Sequence, residues 1–330
     1  MSSNQLSSPT TTKQYEVLST SFEDAELNSV APPETPPAPP TSVSILSIVA
    51  DYLTLTKPEI TFLVTISAVA GFLLGAPESI DISVLVALVF GVALSSAGGA
   101  AFNHYMERDK DKQMKRTDNR PLPAGRIKPQ NALILATVSS TLGIGILLLY
   151  CNLITAALAT LTIVLYIFLY TPLKQHTKYN TLVGTIPGAL PALGGWTAAT
   201  GSFGLGGWVI FMILVIWQLP HFFALAWMYR KDYSRADFKM LPVVEPNGRS
   251  TANQMLLSSV LLLITSLIPS AMGLTGMIYF IGVLLVSVWL VAMCVVFYRS
   301  MSNTSARKVL KASILHIPIL VVLLIVDRFL

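Results

Sequence analysis

Nine stretches of this chain run for seventeen to twenty-five residues with no Asp, Glu, Lys or Arg in their central portions: residues 59–75, 82–106, 131–150, 153–170, 181–200, 206–229, 252–273, 277–298 and 309–327. An α-helix rises about 1.5 Å per residue, so about twenty residues cross the ~30 Å hydrocarbon core of a bilayer. In lipid every backbone polar group must be satisfied within the chain, which a helix does by itself. The pattern predicts an all-α membrane protein of nine transmembrane helices. A soluble helical protein would need charge to cover its surface, and only 12% of the 330 residues are charged against 53% hydrophobic.

The few charges are placed unevenly. Nineteen of the twenty-two Lys and Arg lie in, or at the edges of, the loops after spans 2, 4, 6 and 8. The loops after spans 1, 3, 5 and 7 contain none. Basic loops stay on the cytoplasmic side, so this pattern predicts a cytoplasmic N-terminus and a periplasmic C-terminus in a bacterial inner (plasma) membrane. Residues 1–42 are a different material, rich in Pro, Ser and Thr, with "VAPPETPPAPP" at Val30 to Pro40. Such composition predicts a disordered cytoplasmic tail ahead of a transmembrane domain over 43–330. One base against six acids before Lys57 argues against a mitochondrial presequence. A net charge of +5 is too small to indicate nucleic acid, and the two cysteines, far apart, suggest neither a metal motif nor a disulfide framework.

The densest charge is "NHYMERDKDKQMKRTDNRPLPAG", Asn103 to Gly125. Asn103, Glu107 and Asp111 are spaced i, i+4, i+8, and on a helix each step of four turns by about 40°, so the three share a stripe of about 80°. Two acids and an amide in one stripe at the mouth of a membrane bundle suit a hard cation such as Mg²⁺, which binds one or two carboxylates together with substrate phosphates. The alternative is a solvated helix end with local charge pairs. Lys112, Lys115, Arg116, Arg120 and Arg126 follow at once. Metal-holding acids beside guanidiniums match a diphosphate, although any cytoplasmic loop would also be basic. A second acid–base loop, "YRKDYSRADF" with Lys231, Asp232 and Tyr233, follows the sixth span.

With these two loops the chain resembles the UbiA superfamily of intramembrane prenyltransferases, and within it the branch that farnesylates haem. The resemblance is carried by "LTKPEI" at Leu55 to Ile60, the Asn103–Glu107–Asp111 region running into "MKRTDNRPLPAGRI", "YTPLKQHTKYN" at Tyr170 to Asn180, "GALPALGGW" at Gly188 to Trp196, "WQLPHFFALA" at Trp217 to Ala226, and "YRKDYSRADFKMLPVV" at Tyr229 to Val244. It implies a nine-helix prenyltransferase bundle that moves farnesyl from farnesyl diphosphate to a vinyl group of haem B with addition of water, releasing diphosphate. It implies Mg²⁺ as cofactor, held by Asn103, Glu107, Asp111 and Asp232. Lys112, Arg116, Arg120, Lys174 and Lys231 are then candidate diphosphate partners. His221, Trp217, Tyr170 and Tyr233 are candidate walls of the haem and prenyl pocket. Membrane lipid surrounds the bundle, and a terminal oxidase or a haem A synthase would use the product.

Two departures stand out. Glu107 occupies a position where the superfamily usually has Asp, and the residue four after Asp232 is Ala236, with Asp237 one step further round. Pro220 should kink the sixth span, and His221, directly after it, reads either as a haem contact or as a partner for the backbone that the proline frees. A UbiA-type enzyme with another aromatic or tetrapyrrole acceptor is the nearest rival. A transporter is a rival of another class, disfavoured because the charges crowd one face and leave the other nearly bare.

Overall fold

The computed structural model describes residues 44–76 and 79–330; the tail expected over 1–42 lies outside them. The described chain is helical, with no strand. A short helix, α1 (Ile45–Leu55), leads into α2 (Pro58–Gly75) and α3 (Ile82–Asp111). α4 (Pro129–Tyr150) and α5 (Leu153–Val164) follow, and α5 is continued by a π-helical turn, Leu165–Tyr170, and by α6 (Thr171–His176). Next come α7 (Asn180–Thr200), α8 (Leu205–Met228), the short α9 (Arg230–Arg235) and α10 (Leu241–Val244), then α11 (Arg249–Ala271), α12 (Met277–Ser300) and α13 (Asn303–Phe329).

Eight of these are long and apolar enough to cross a membrane, and the chain is a multi-pass membrane protein. The span expected over 181–200 is a helix as well, α7, but it is not apolar enough to join the eight. Hydropathy therefore does not establish a count of nine. The physical reason is where α7 sits: it packs on α2, α8 and α5. More than half of its residues, including Thr181, Thr185, Thr197 and several glycines, are buried in the bundle. A helix shielded from lipid by its neighbours needs small side chains more than greasy ones. α1 was not expected from the sequence. It is eleven residues long and is tied down by Arg126, whose guanidinium donates to both oxygens of Asp51 at 2.9–3.1 Å.

Close approach of α2 and α7 depends on glycine at two facing positions. A Cβ on Gly71 would run into the carbonyl of Ala192, and one on Gly195 into the carbonyl of Ala68. The far end of the bundle is closed by α13. Asp327 accepts the backbone N–H groups of Gly276 and Tyr279 at the start of α12, and Arg328 donates to the carbonyls of Leu73 and Ala76.

The charged end is closed by contacts between loops. The segment after α3 folds back through Thr117, whose hydroxyl donates to the Asp111 carbonyl at 2.9 Å. Met114 of that segment packs with Ala226 near the end of α8 and with Ala236, Phe238 and Met240 of the loop after it. Lys239 N–H donates to the Lys174 carbonyl at 2.6 Å, and the Asn180 amide donates to the Lys239 carbonyl at 3.0 Å. The loops after the second, fourth and sixth expected spans are thus knitted over one mouth. Gly195→Ala should lower stability by about 1–3 kcal/mol, the usual cost of forcing a methyl into a filled space. Gly145→Ala, with nothing near its added methyl, should be neutral or stabilising by up to about 1 kcal/mol. Thermal unfolding of both variants in detergent checks the contrast.

Candidate active site

α3 runs unbroken to Asp111, so the i, i+4, i+8 row forms one wall of a cavity of about 500 Å³. Asn103, Glu107 and Asp111 are 1%, 7% and 1% exposed. Buried carboxylates require compensation, and here each member of the row has a cationic partner from a different segment. The Lys57 ammonium donates to Asn103 Oδ1 at 2.5 Å. Lys174 donates to Glu107 Oε1 at 2.7 Å. Arg120 Nη1 reaches both Asp111 oxygens at 2.8 and 3.0 Å. The Asn103 amide also donates to the Thr171 hydroxyl at 3.3 Å.

Lys57 sits in the turn between α1 and α2 with φ +45°, a left-handed conformation that costs a non-glycine residue of order 1–3 kcal/mol. The following Pro58 disfavours the right-handed helical conformation there, and the bond to Asn103 holds the side chain. Burial, followed by the positive field of Arg120, pushes the Lys57 ammonium down to about 7, opposed by Glu107. Arg116 completes the cationic mouth and lies 4.8 Å over the ring of Tyr229.

Away from this mouth the walls are apolar and aromatic. The π turn adds a residue to the helix just where it borders the cavity, an arrangement common at functional sites. Tyr166 and Tyr170 both face the cavity and stack with centroids 5.7 Å apart. Gly184 leaves room for the Tyr170 ring, and the Lys174 ammonium stands 4.7 Å from its centroid. Phe222, Trp217, His221, Tyr233 and Phe238 complete the lining. Trp217 donates its indole N–H to the Ser313 carbonyl at 2.8 Å and stacks on His221 at 5.3 Å. The His221 partner is the Ser313 hydroxyl on α13, at 3.0 Å, and not the backbone beside Pro220.

The geometry gathers Asn103, Glu107, Asp111, Arg116, Arg120, Lys174, Trp217, His221, Tyr170 and Tyr233 around one cavity. It does not bring in Asp232. That residue lines a separate depression of about 340 Å³ with Lys115, Lys231 and Arg235, and its carboxylate pairs with Arg235 at 2.7 Å. Tyr229 breaks α8 before α9 begins and lines both spaces, so it stands as the wall between them. Asp232 is thus paired with Arg235 outside the cavity that Asp111 lines. Lys231 is exposed in that depression, and Lys112, at the C-cap of α3, is exposed and does not line the cavity. Asp237 is exposed and paired with Lys239 at 2.7 Å. Sequence reasoning missed Lys57 and Thr171 as members of the site. A lone Lys before a proline at the mouth of a span was the available signal for the first.

Residues 64–315 match the UbiA prenyltransferase family, and the chain belongs to it. Among its relatives, the protoheme IX farnesyltransferase of Salinibacter ruber is 53% identical over 85% of this chain and 99% of its own length. That of Solibacter usitatus is 40% identical over 84% and 98%. A solved structure of digeranylgeranylglyceryl phosphate synthase superposes with a TM-score of 0.69 at 18% identity, covering 85% of this chain and 98% of that one. A UbiA homologue from Archaeoglobus fulgidus bound to GPP and Mg²⁺ gives 0.61 at 16% identity, covering 83% and 99%.

Lys174→Met should destabilise the protein by about 3–5 kcal/mol, because it strands the buried Glu107 carboxylate. Adding Glu107→Gln should recover part of the loss. Thermal unfolding of the single and double variants in detergent measures both.

Proposed function

We propose that the chain transfers the farnesyl group of farnesyl diphosphate to a vinyl group of haem B with addition of water, giving haem O and diphosphate. The observation that carries this reading is a single cavity with charge at one end only: an oxygen row and four cations at the mouth, and aromatic and aliphatic walls below. A polar headgroup with a long hydrocarbon tail fits that polarity. The acceptor rests on the relatives named protoheme IX farnesyltransferase, which match nearly end to end.

The oxygen row suits Mg²⁺. Two carboxylates and an amide on one helix face are hard donors, too few to enclose the ion alone, which leaves positions for diphosphate oxygens. Asn103, Glu107 and Asp111 would hold it, and the relative of like fold bound to GPP and Mg²⁺ supports the pairing. Bound there, the ion supplies charge neutralisation for the departing diphosphate.

The chain's own residues do the rest. Arg116, Arg120, Lys174 and Lys57 face the leaving group as the allylic C–O bond breaks and its electron pair goes to diphosphate. Lys57, whose pKa burial and then the field of Arg120 lower to about 7, gains a strong anionic partner that favours its charged form when the substrate enters. Tyr166, Tyr170 and Phe222 offer π faces to the allylic cation. The haem vinyl π bond attacks it, and the cation left beside the macrocycle takes up water and loses a proton. The basic mouth faces the cytoplasm of a bacterial inner membrane, placing the C-terminus in the periplasm, and a terminal oxidase or a haem A synthase consumes the product.

Membranes given haem B and labelled farnesyl diphosphate should form haem O, and a chelator should stop the reaction until Mg²⁺ is restored. Asp111→Asn should lower the rate by about a hundredfold or more. Full turnover by that variant would remove the role given to the oxygen row. Transfer of the label to a different ring acceptor but never to haem would favour the other tetrapyrrole or aromatic reading.

A further inference from the structure

His221 is the one histidine that lines the cavity, and the contacts around it decide which ring nitrogen is left without a protein partner. Its Nδ1 lies 3.0 Å from Ser313 Oγ. That hydroxyl also lies 2.8 Å from the Leu310 carbonyl, to which it donates. A hydroxyl has one proton. With that proton on Leu310, Ser313 Oγ can only accept, and His221 must donate from Nδ1. The opposite tautomer would leave an N–H without an acceptor in an apolar wall, and orphaned buried donors are rarer than orphaned acceptors. Among the described residues, no group hydrogen-bonds His221 Nε2. Its lone pair is therefore available to whatever occupies the cavity.

The ring is also fixed in plane. Trp217 stacks on one face, Phe222 meets it edge-on at 5.6 Å, and Trp217 is itself anchored to the carbonyl of the same Ser313. A rigid imidazole whose Nδ1–H is held by an oxygen acceptor, with Nε2 bare, is how histidines that ligate metal are usually arranged. Among the described residues no cluster of three His, Cys, Asp or Glu forms a protein-held metal site there. The partner that fits is a metal brought in by its own macrocycle.

We propose that His221 Nε2 is an axial ligand to the iron of the haem substrate, and that Ser313 is the positioning residue that sets its tautomer and basicity. This rests on haem as the acceptor. Ligation from α8 would fix the macrocycle's depth and tilt, and so decide which vinyl edge is turned toward the allylic end of the prenyl chain.

The test is binding of haem B to the purified full-length protein in detergent, read by absorption and by resonance Raman of the ferrous form. Wild type should show an iron–histidine stretch. His221→Ala should lose it, and added imidazole should restore ligation. Ser313→Ala keeps the backbone carbonyl that anchors Trp217 but removes the acceptor for Nδ1–H. It should lower the iron–histidine frequency and weaken haem binding by about tenfold, while Ser313→Thr should restore both. A wild-type stretch that persists unchanged in His221→Ala overturns the ligand assignment and leaves haem as acceptor intact. An unchanged frequency in Ser313→Ala overturns the positioning role. No haem binding by wild type would sink the acceptor reading itself.

Discussion

Buried carboxylates inside a membrane bundle exist here only because cations from elsewhere in the chain reach them. Glu107 and Asp111 lie on α3, but Lys174 comes from the end of the fourth expected span and Arg120 from the loop that follows α3. Removing either cation strands a charge in a poorly solvated place, which costs far more than a surface pair ever contributes. The pairs therefore dictate the shape of the mouth. Arg120 reaches Asp111 because the loop turns back on itself, and Lys57 reaches Asn103 from a left-handed turn between α1 and α2. The same cations are what an incoming diphosphate needs. The site that stabilises the fold without substrate is already assembled for charge that arrives with it.

What the sequence revealed follows from how local each cause is. Lipid imposes its demand residue by residue, so most membrane helices could be read from apolar runs alone. α7 is the exception that proves informative: its surroundings are protein, so its composition reports packing and falls short on hydropathy. The Asn103, Glu107, Asp111 row was legible because helical geometry converts a spacing of four into a shared face. The cation opposite each member was not, since these pairs join positions nine to sixty-seven residues apart. Ser313, ninety-two residues from His221, carried no sequence signal of its role.

Asp232 is a different case. It stands in a loop whose composition mirrors the first one, and the two loops do meet, through Met114, Phe238 and Met240. Proximity of loops is not proximity of side chains. α8 ends at Tyr229, α9 begins at once, and Arg235, three residues after Asp232, pairs with its carboxylate in the neighbouring depression. Composition can place two charged segments at one end of a bundle, but a single backbone turn decides which cavity each acid faces.

The division of charge along the cavity also orders the chemistry. Lys57, Glu59, Glu107, Asp111, Arg116, Arg120 and Lys174 are the charged residues of the lining, and they come from the segments that meet at the mouth. Below it the polar groups are neutral and mostly committed: Gln218 to the Thr185 and Leu214 carbonyls, Thr155 to Thr197 and Asn152. A carboxylate at that depth would trap an allylic cation as an ester, and a loose water shell would quench it as an alcohol. With ionisation confined to the rim, the committed groups holding no free nucleophile and the His221 Nε2 lone pair taken up by the haem iron, the electron-rich partner left to a cation formed there is the π system of an acceptor lying in the same cavity. Selectivity for transfer over hydrolysis then follows from where charge is absent as much as from where it is placed.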